Sequence, residues 1–203
     1  MSANAIFRVF PDKESILNSL VGHMIEEQFK MARHFIEEVG EYDPVFLYGA
    51  ETALQLHIAE ISEALRDLYV SAYSLPTTSE YIYQTVSKKL INIFGQYLPE
   101  CEEKDFYEME IATAGITRGY MAKKCDMYFT MKQKIRRFLE VTLKIYGVPP
   151  EKRSGIAERV LTLPLAEFAE KIIRETVKKA ETGFAGDYDS KPCNSEKMLP
   201  NCI

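Results

Sequence analysis

The sequence SANAIFRVFPDKESIL, residues 2–17, contains the boundary between two predicted helices. A short helical run ends in the aromatic and basic residues FRVF, and Pro11 then prevents that helix from continuing. Asp12 is placed to cap the next helix, and Glu14 adds negative charge to its first turn, where free backbone N–H groups point. The stretch therefore predicts two helices joined by a tight turn, an arrangement that ordinary helix-to-helix connections share.

This stretch resembles the recognition helix of TetR-family transcriptional regulators and the start of the long helix after it. The family pattern is roughly Ser-x-x-Thr-aliphatic-Tyr-x-x-Phe-x-Ser/Asp-Lys-Glu-x-Leu. The positions that fit are Ser2, Ile6, Phe10, Asp12, Lys13, Glu14, Ile16 and Leu17. Ala5 and Phe7 depart from the pattern, and Phe7 lacks the hydroxyl that a tyrosine often directs at a phosphate. Beyond these residues the agreement lies only in the succession of helices.

The resemblance implies a ligand-responsive repressor that binds an operator as a homodimer. It implies DNA contacts by Ser2, Ala3, Asn4, Arg8 and Lys13. Two further helices precede this point in the family, so we expect residues 1–20 to be a partial DNA-binding region with a remnant helix-turn-helix. We expect a ligand-binding and dimerisation domain over residues 21–182 and a disordered tail over residues 183–203. We also expect this chain alone to bind operator DNA weakly.

Composition excludes several classes of protein. A chain of 203 residues that is 46% hydrophobic can bury a sizeable core. A net charge of -5 argues against a wholly basic nucleic-acid-binding surface, although basic groups can still be concentrated at one end. No apolar run approaches the roughly 18 residues of a membrane helix, and no secretory signal is visible. We therefore expect a cytoplasmic protein with no membrane partner.

Apolar residues recur every three or four positions through most of the chain, which predicts an all-α protein. The predicted helices cover residues 12–39, 45–72, 79–98, 105–125, 129–146, 151–161 and 164–182. The second is apolar on most sides and should be the central helix of a TetR-like bundle. Gly115 and Gly119 lie one turn apart in the fourth and should let a neighbouring helix approach closely.

No catalytic or cofactor motif is visible in the sequence. It lacks a glycine-rich phosphate loop, a Gly-x-Ser-x-Gly elbow and a His-Glu-x-x-His pair. The Glu-x-x-His motif of di-iron bundles is absent too, because an apolar residue stands three positions before each histidine. We expect no enzymatic activity, no cofactor and no metal. A helical-bundle enzyme without a recognisable motif is the weakest alternative.

Polar residues interrupt the apolar faces of the second and fourth predicted helices, and the third lies between them in the sequence. The resemblance implies that these helices enclose a pocket for a small apolar or aromatic ligand with a few polar anchors. The candidate ligand contacts are Gln55, His57, Glu60, Tyr83, Thr117, Arg118 and Met121. Alternatively, His57 is a buried neutral histidine, and Glu60 pairs with Arg118 or points to solvent. The second functional hypothesis is a helical small-molecule-binding or interaction protein that does not bind DNA.

The last two long helices, 129–146 and 165–182, are strongly amphipathic. In a homodimer they would form a four-helix bundle about a two-fold axis. Four cations in the first of them are expected on its solvent-exposed face: Lys132, Lys134, Arg136 and Arg137.

Overall fold

The computed structural model describes residues 43–186 together with Gly22 and Lys30, with side chains of that range described through Lys178. These residues form seven helices and no strand, which confirms the all-α prediction. The helices are α1 (Pro44–Ile61), α2 (Glu63–Ala72), α3 (Pro76–Phe94), α4 (Glu103–Ala122), α5 (Met131–Ile145), α6 (Pro150–Val160) and α7 (Leu165–Gly186). Across this part of the chain, no helix has the length and apolarity needed to cross a bilayer.

Helix α1 is the central element, as the apolar pattern predicted. It begins at Pro44, where a missing N–H costs nothing, and the Asp43 side chain accepts the Val45 N–H at 3.0 Å. It contacts each of α2, α3, α4, α5 and α6. Leu56 and Ile58 are completely buried. A displacement of α1 therefore affects most of the described bundle.

The prediction of one continuous helix from residue 45 to residue 72 is wrong. Ser62 adopts an extended conformation, with φ −153° and ψ 159°, between Ile61 and Glu63. Its hydroxyl accepts the Leu65 N–H at 3.2 Å and so caps α2. Serine stabilises a new helix start better than a helix interior, which explains a break without glycine or proline.

Side-chain caps fix the starts of α4 and α5. Glu102 and Asp105 form a capping box at α4, and Thr130 and Gln133 form another at α5. Helix α3 begins at Pro76, earlier than the predicted residue 79. The hydroxyl-rich segment after this proline is therefore the first turn of the helix.

Glycine is required at some positions and not at others. Gly147, after α5, has φ +71°, and a Cβ there would lie 3.0 Å from Leu98 Cδ2 and 3.2 Å from the Tyr97 carbonyl oxygen. The predicted close approach at Gly115 and Gly119 is wrong, because no described atom lies within 4 Å of a Cβ built at either residue. Both are exposed on α4.

The apolar face of α5 is buried in the chain's own core, where Ile135 and Phe138 are 2% and 0% exposed. Lys134 is also 0% exposed, so the prediction that all four cations of this helix face solvent is wrong for that residue.

The pattern of residue contacts divides the chain into two compact units, and the boundary between them follows Glu170, within α7. In the part that follows, Val177 is 51% exposed.

Candidate functional site

Two helices place polar side chains at matching intervals around one cavity. On α1, Tyr48, Glu51 and Gln55 are three and four residues apart, so they share a face. On α4, Glu110, Thr113 and Thr117 repeat this spacing. The rest of the wall consists of Thr52, Tyr73, Val86, Lys89, Leu90 and Ile93. The cavity thus lies between α1, the end of α2, α3 and α4.

The cavity is small and mostly surrounded by buried groups. Its volume is about 40 Å³. Glu51 and Glu110 are 2% and 6% exposed. Two carboxyl groups in such an environment require a physical explanation, because burying a charged group is costly.

Glu110 is held by hydroxyl groups and not by a cation. Its Oε2 accepts hydrogen bonds from Thr113 Oγ1 at 2.9 Å and from the Tyr146 hydroxyl at 3.3 Å, and these two hydroxyls are 2.6 Å apart. Burial raises the pKa of Glu110 to about 8, and the two hydrogen bonds oppose that rise only in part. The carboxyl group is therefore protonated at neutral pH and ionises in mildly alkaline solution.

Tyrosines make up much of the remaining polar surface. Burial, together with the charge of Glu110, raises the pKa of the Tyr48 and Tyr73 hydroxyls above the ordinary range. The Tyr146 ring stacks on Phe94 with centroids 4.4 Å apart, and the Tyr48 ring meets Phe94 edge-on at 5.1 Å. These rings hold the hydroxyls in fixed positions, and the hydroxyls act as neutral hydrogen-bonding groups.

This arrangement suits reversible binding. It combines a carboxyl group that changes charge near pH 8 with hydroxyls, amides and apolar walls, as small-molecule sites do. Among the residues described, no group of three or more His, Cys, Asp or Glu side chains is arranged to hold a metal ion.

Only two of the predicted ligand contacts, Gln55 and Thr117, line this cavity. Arg118 is exposed on α4. Met121 is fully buried outside the wall, and Tyr83 packs edge-on against Tyr107 with centroids 6.2 Å apart.

Glu60 belongs to a different cluster. Its Oε1 lies 2.6 Å from Lys134 Nζ and accepts the Cys125 N–H at 3.0 Å, while Arg66 approaches its Oε2 at 3.6 Å. Lys134 Nζ also donates to the Lys123 carbonyl oxygen. Burial alone would raise the pKa of Glu60, but the hydrogen bonds from Lys134 and the Cys125 N–H outweigh it and lower that pKa. The alternative pairing of Glu60 with Arg118 is replaced by this ion pair.

His57 lies beside the ion pair and not beside the cavity. Burial lowers its pKa, Glu60 opposes that shift and Lys134 adds to it. His57 also lines a separate groove of about 310 Å³ formed by α1, α5, the end of α6 and the start of α7. The structure thus separates His57 and Glu60 from Gln55 and Thr117, although all four were assigned to one pocket.

No family model, curated protein or solved structure matches this chain. The predicted DNA contacts Ser2, Ala3, Asn4, Arg8 and Lys13 lie outside the residues that the structure describes. The functional interpretation therefore depends on the N-terminal motif and on the geometry of the cavity.

Glu51 and Glu110 are the important cavity residues that the sequence-based prediction omitted. The signal for them was the shared spacing of three and four residues on two helices, at Tyr48, Glu51 and Gln55 and at Glu110, Thr113 and Thr117. A helix that carries polar residues at these intervals within an apolar sequence presents one polar stripe.

Proposed function

We propose that this chain is a cytoplasmic, ligand-responsive transcriptional repressor of the TetR type, with its effector site in the cavity between α1, α3 and α4. The observation that carries the proposal is the convergence of Gln55, Glu110 and Thr117 on one buried cavity. These side chains give the cavity polar groups that can hydrogen-bond a ligand beside apolar walls, a combination typical of small-molecule sites. These are also the helices in which the resemblance implies an effector pocket.

The small cavity suggests how an effector acts. Pockets for drug-sized ligands span roughly 300–1,000 Å³, whereas this one measures about 40 Å³. A larger effector therefore has to displace the wall, and α1 transmits that displacement because it contacts α2 to α6. Differential binding of the effector to the displaced state shifts the population toward it. In a dimer this shift would change the spacing of two recognition helices and release the operator.

We propose that the homodimer forms mainly through α7. The apolar face of α5 is occupied by the core of its own chain, whereas Val177 on α7 is 51% exposed. Val177→Glu should convert dimers to monomers, because a charge buried at an apolar interface is costly. Light scattering measures the mass, with the exposed α5 variant Val141→Glu as the control. A dimer that survives Val177→Glu would contradict this placement.

Effector binding is tested by thermal denaturation against small apolar and aromatic compounds. A true effector should stabilise the protein by about 2.7 kcal/mol at 100 times its dissociation constant. Thr117→Leu, which fills the cavity, should abolish the response, whereas Arg118→Ala on the exposed side of the same helix should not. An equal response in both variants would place the binding site elsewhere.

DNA regulation is tested with the protein tagged at its own chromosomal locus. Chromatin immunoprecipitation should enrich a discrete DNA site, and a stabilising compound should reduce that enrichment. Enrichment that is absent or insensitive to the compound would overturn the repressor assignment. Compound binding without an enriched site would leave the small-molecule-binding protein as the function.

A further inference from the structure

The cavity wall contains more acidic than basic side chains. Its ionisable lining residues are the carboxyl groups of Glu51 and Glu110, the ammonium of Lys89 and the hydroxyls of Tyr48 and Tyr73. At pH 8, where Glu110 is partly ionised, an anionic ligand would meet a carboxylate inside a poorly solvated space, where like charges repel strongly. Carboxylate or phosphate ligands are therefore disfavoured.

The orientation of Glu110 leaves one oxygen for a ligand. Both of its described side-chain hydrogen bonds, from Thr113 and Tyr146, end on Oε2. They fix the carboxyl group in one rotamer, while Oε1 takes part in neither bond. A donor that enters the cavity can therefore bind Oε1 without breaking the existing contacts.

We propose that the cavity binds the protonated nitrogen of a small organic amine, with Glu110 Oε1 as its principal acceptor and Glu51 as the second carboxyl group of the wall. This inference rests on the proposed effector site and names the chemical class of its ligand. An ammonium group supplies a donor for Glu110 Oε1, the oxygen that takes part in neither of the two side-chain hydrogen bonds. Tyr48 and Tyr73 add aromatic rings, which attract cations. The volume of about 40 Å³ accommodates a compact head group, such as methylammonium, before any wall residue moves.

The protonation of Glu110 predicts how binding depends on pH. The pKa of Glu110 is about 8, so amine binding must displace its proton at neutral pH. Affinity should therefore rise between pH 6 and pH 8, by up to about tenfold per unit, and then level off until the amine itself loses its proton near pH 10. Glu51 and Lys89 face the same cavity, and Tyr48, Tyr73 and Tyr146 are neutral across this range because their pKa values are raised.

The experiment compares probes of similar size and different charge. Methylamine, ethylamine and propylamine are titrated at pH 8 by calorimetry, with methanol, ethanol and propanol as neutral counterparts and acetate and propionate as anions. The amines should bind at least about tenfold more tightly than the matched alcohols, since charge-assisted hydrogen bonds are about twice as strong as neutral ones. The carboxylates should not bind detectably.

Glu110→Gln preserves shape and removes the charge, so amine affinity should fall at least about tenfold and lose its rise between pH 6 and pH 8. Glu108→Gln on the exposed side of α4 is the matched control and should change neither. Equal binding of amines and alcohols, or unchanged amine binding in Glu110→Gln, would overturn the amine assignment. If neutral compounds bind instead and Thr117→Leu blocks them, the effector site stands and only its ligand class is wrong. If no compound binds in the cavity, both proposals fail.

Discussion

Glu60 is partly buried and Glu110 is almost completely buried, and their surroundings shift their pKa values in opposite directions. Lys134, Arg66 and the Cys125 N–H surround Glu60 and lower its pKa, whereas Glu110 has only hydroxyl partners and its pKa is raised to about 8. Glu60 therefore contributes stability at neutral pH that is lost as acid protonates it. Glu110 instead reduces stability as the pH rises toward 8.

The difference in partners distinguishes Glu60, a carboxylate that stabilises the fold, from Glu110, a carboxyl group that can bind a ligand. The Glu60–Lys134 ion pair joins α1 to α5, and the hydrogen bonds from the Cys125 N–H to Glu60 and from Lys134 Nζ to the Lys123 carbonyl oxygen join both to the loop before α5. Glu110 is next to a cavity and keeps an oxygen outside its two side-chain hydrogen bonds. Burial of an acidic residue alone therefore does not identify a ligand site; the identity of its partners does.

The largest effect is expected from breaking the ion pair. Lys134→Met leaves the Glu60 carboxylate partly buried with only Arg66 and the Cys125 N–H, so the free energy of unfolding should fall by about 3 kcal/mol. Urea denaturation at pH 7 measures this loss in the free energy of unfolding. Lys132→Met, on the exposed side of the same helix, should change stability by no more than about 0.5 kcal/mol. Similar losses in the two variants would show that the ion pair has no special role.

The sequence predicted the positions of the helices better than it predicted the surroundings of Glu60 and Glu110. Apolar periodicity located α1, because it acts within a few residues of the chain. The break at Ser62 was missed, since a single serine between Ile61 and Glu63 is compatible with a continuous helix. Apolar periodicity therefore predicts where a helix lies, but a single serine does not reveal that the helix is interrupted.

The site was only partly predictable, because its contacts join distant residues. Glu60 and Lys134 are 74 positions apart, and Glu110 and Tyr146 are 36 positions apart. Nothing in the local pattern distinguishes Glu110 from the exposed Glu108 except its register with Thr113 and Thr117. Gln55 and Thr117 line the cavity, whereas Arg118 falls about 100° away from Thr117 and into solvent.

A second test changes Glu110 itself. Its pKa is about 8 in the folded protein and ordinarily 4.5, so between these two values the folded protein retains a proton that the unfolded chain has released. Between pH 6 and pH 8 the wild type should lose about 2 kcal/mol of stability relative to Glu110→Gln. The stability of Glu108→Gln should change with pH as the stability of the wild type does. Urea denaturation across this range gives the comparison, and parallel profiles for wild type and Glu110→Gln would show that Glu110 does not titrate there.

The smallest effect is expected from Thr113→Val, which tests whether hydroxyl groups substitute for a cation at Glu110. The change keeps the shape of the side chain and removes the 2.9 Å hydrogen bond to Oε2 and the 2.6 Å contact with Tyr146. Stability at pH 7 should fall by about 1 kcal/mol, the usual net value of a buried hydrogen bond. Since that bond favours the ionised carboxylate, its loss should also move the pKa of Glu110 further upward.

Thr52→Val is the matched control, because Thr52 lines the same cavity but donates to the Tyr48 carbonyl oxygen. Carbon-detected NMR titration of the glutamate carboxyl groups measures the shift. An unchanged Glu110 titration in Thr113→Val would mean that burial alone sets its pKa, and the contrast with Glu60 would then reduce to the presence or absence of Lys134.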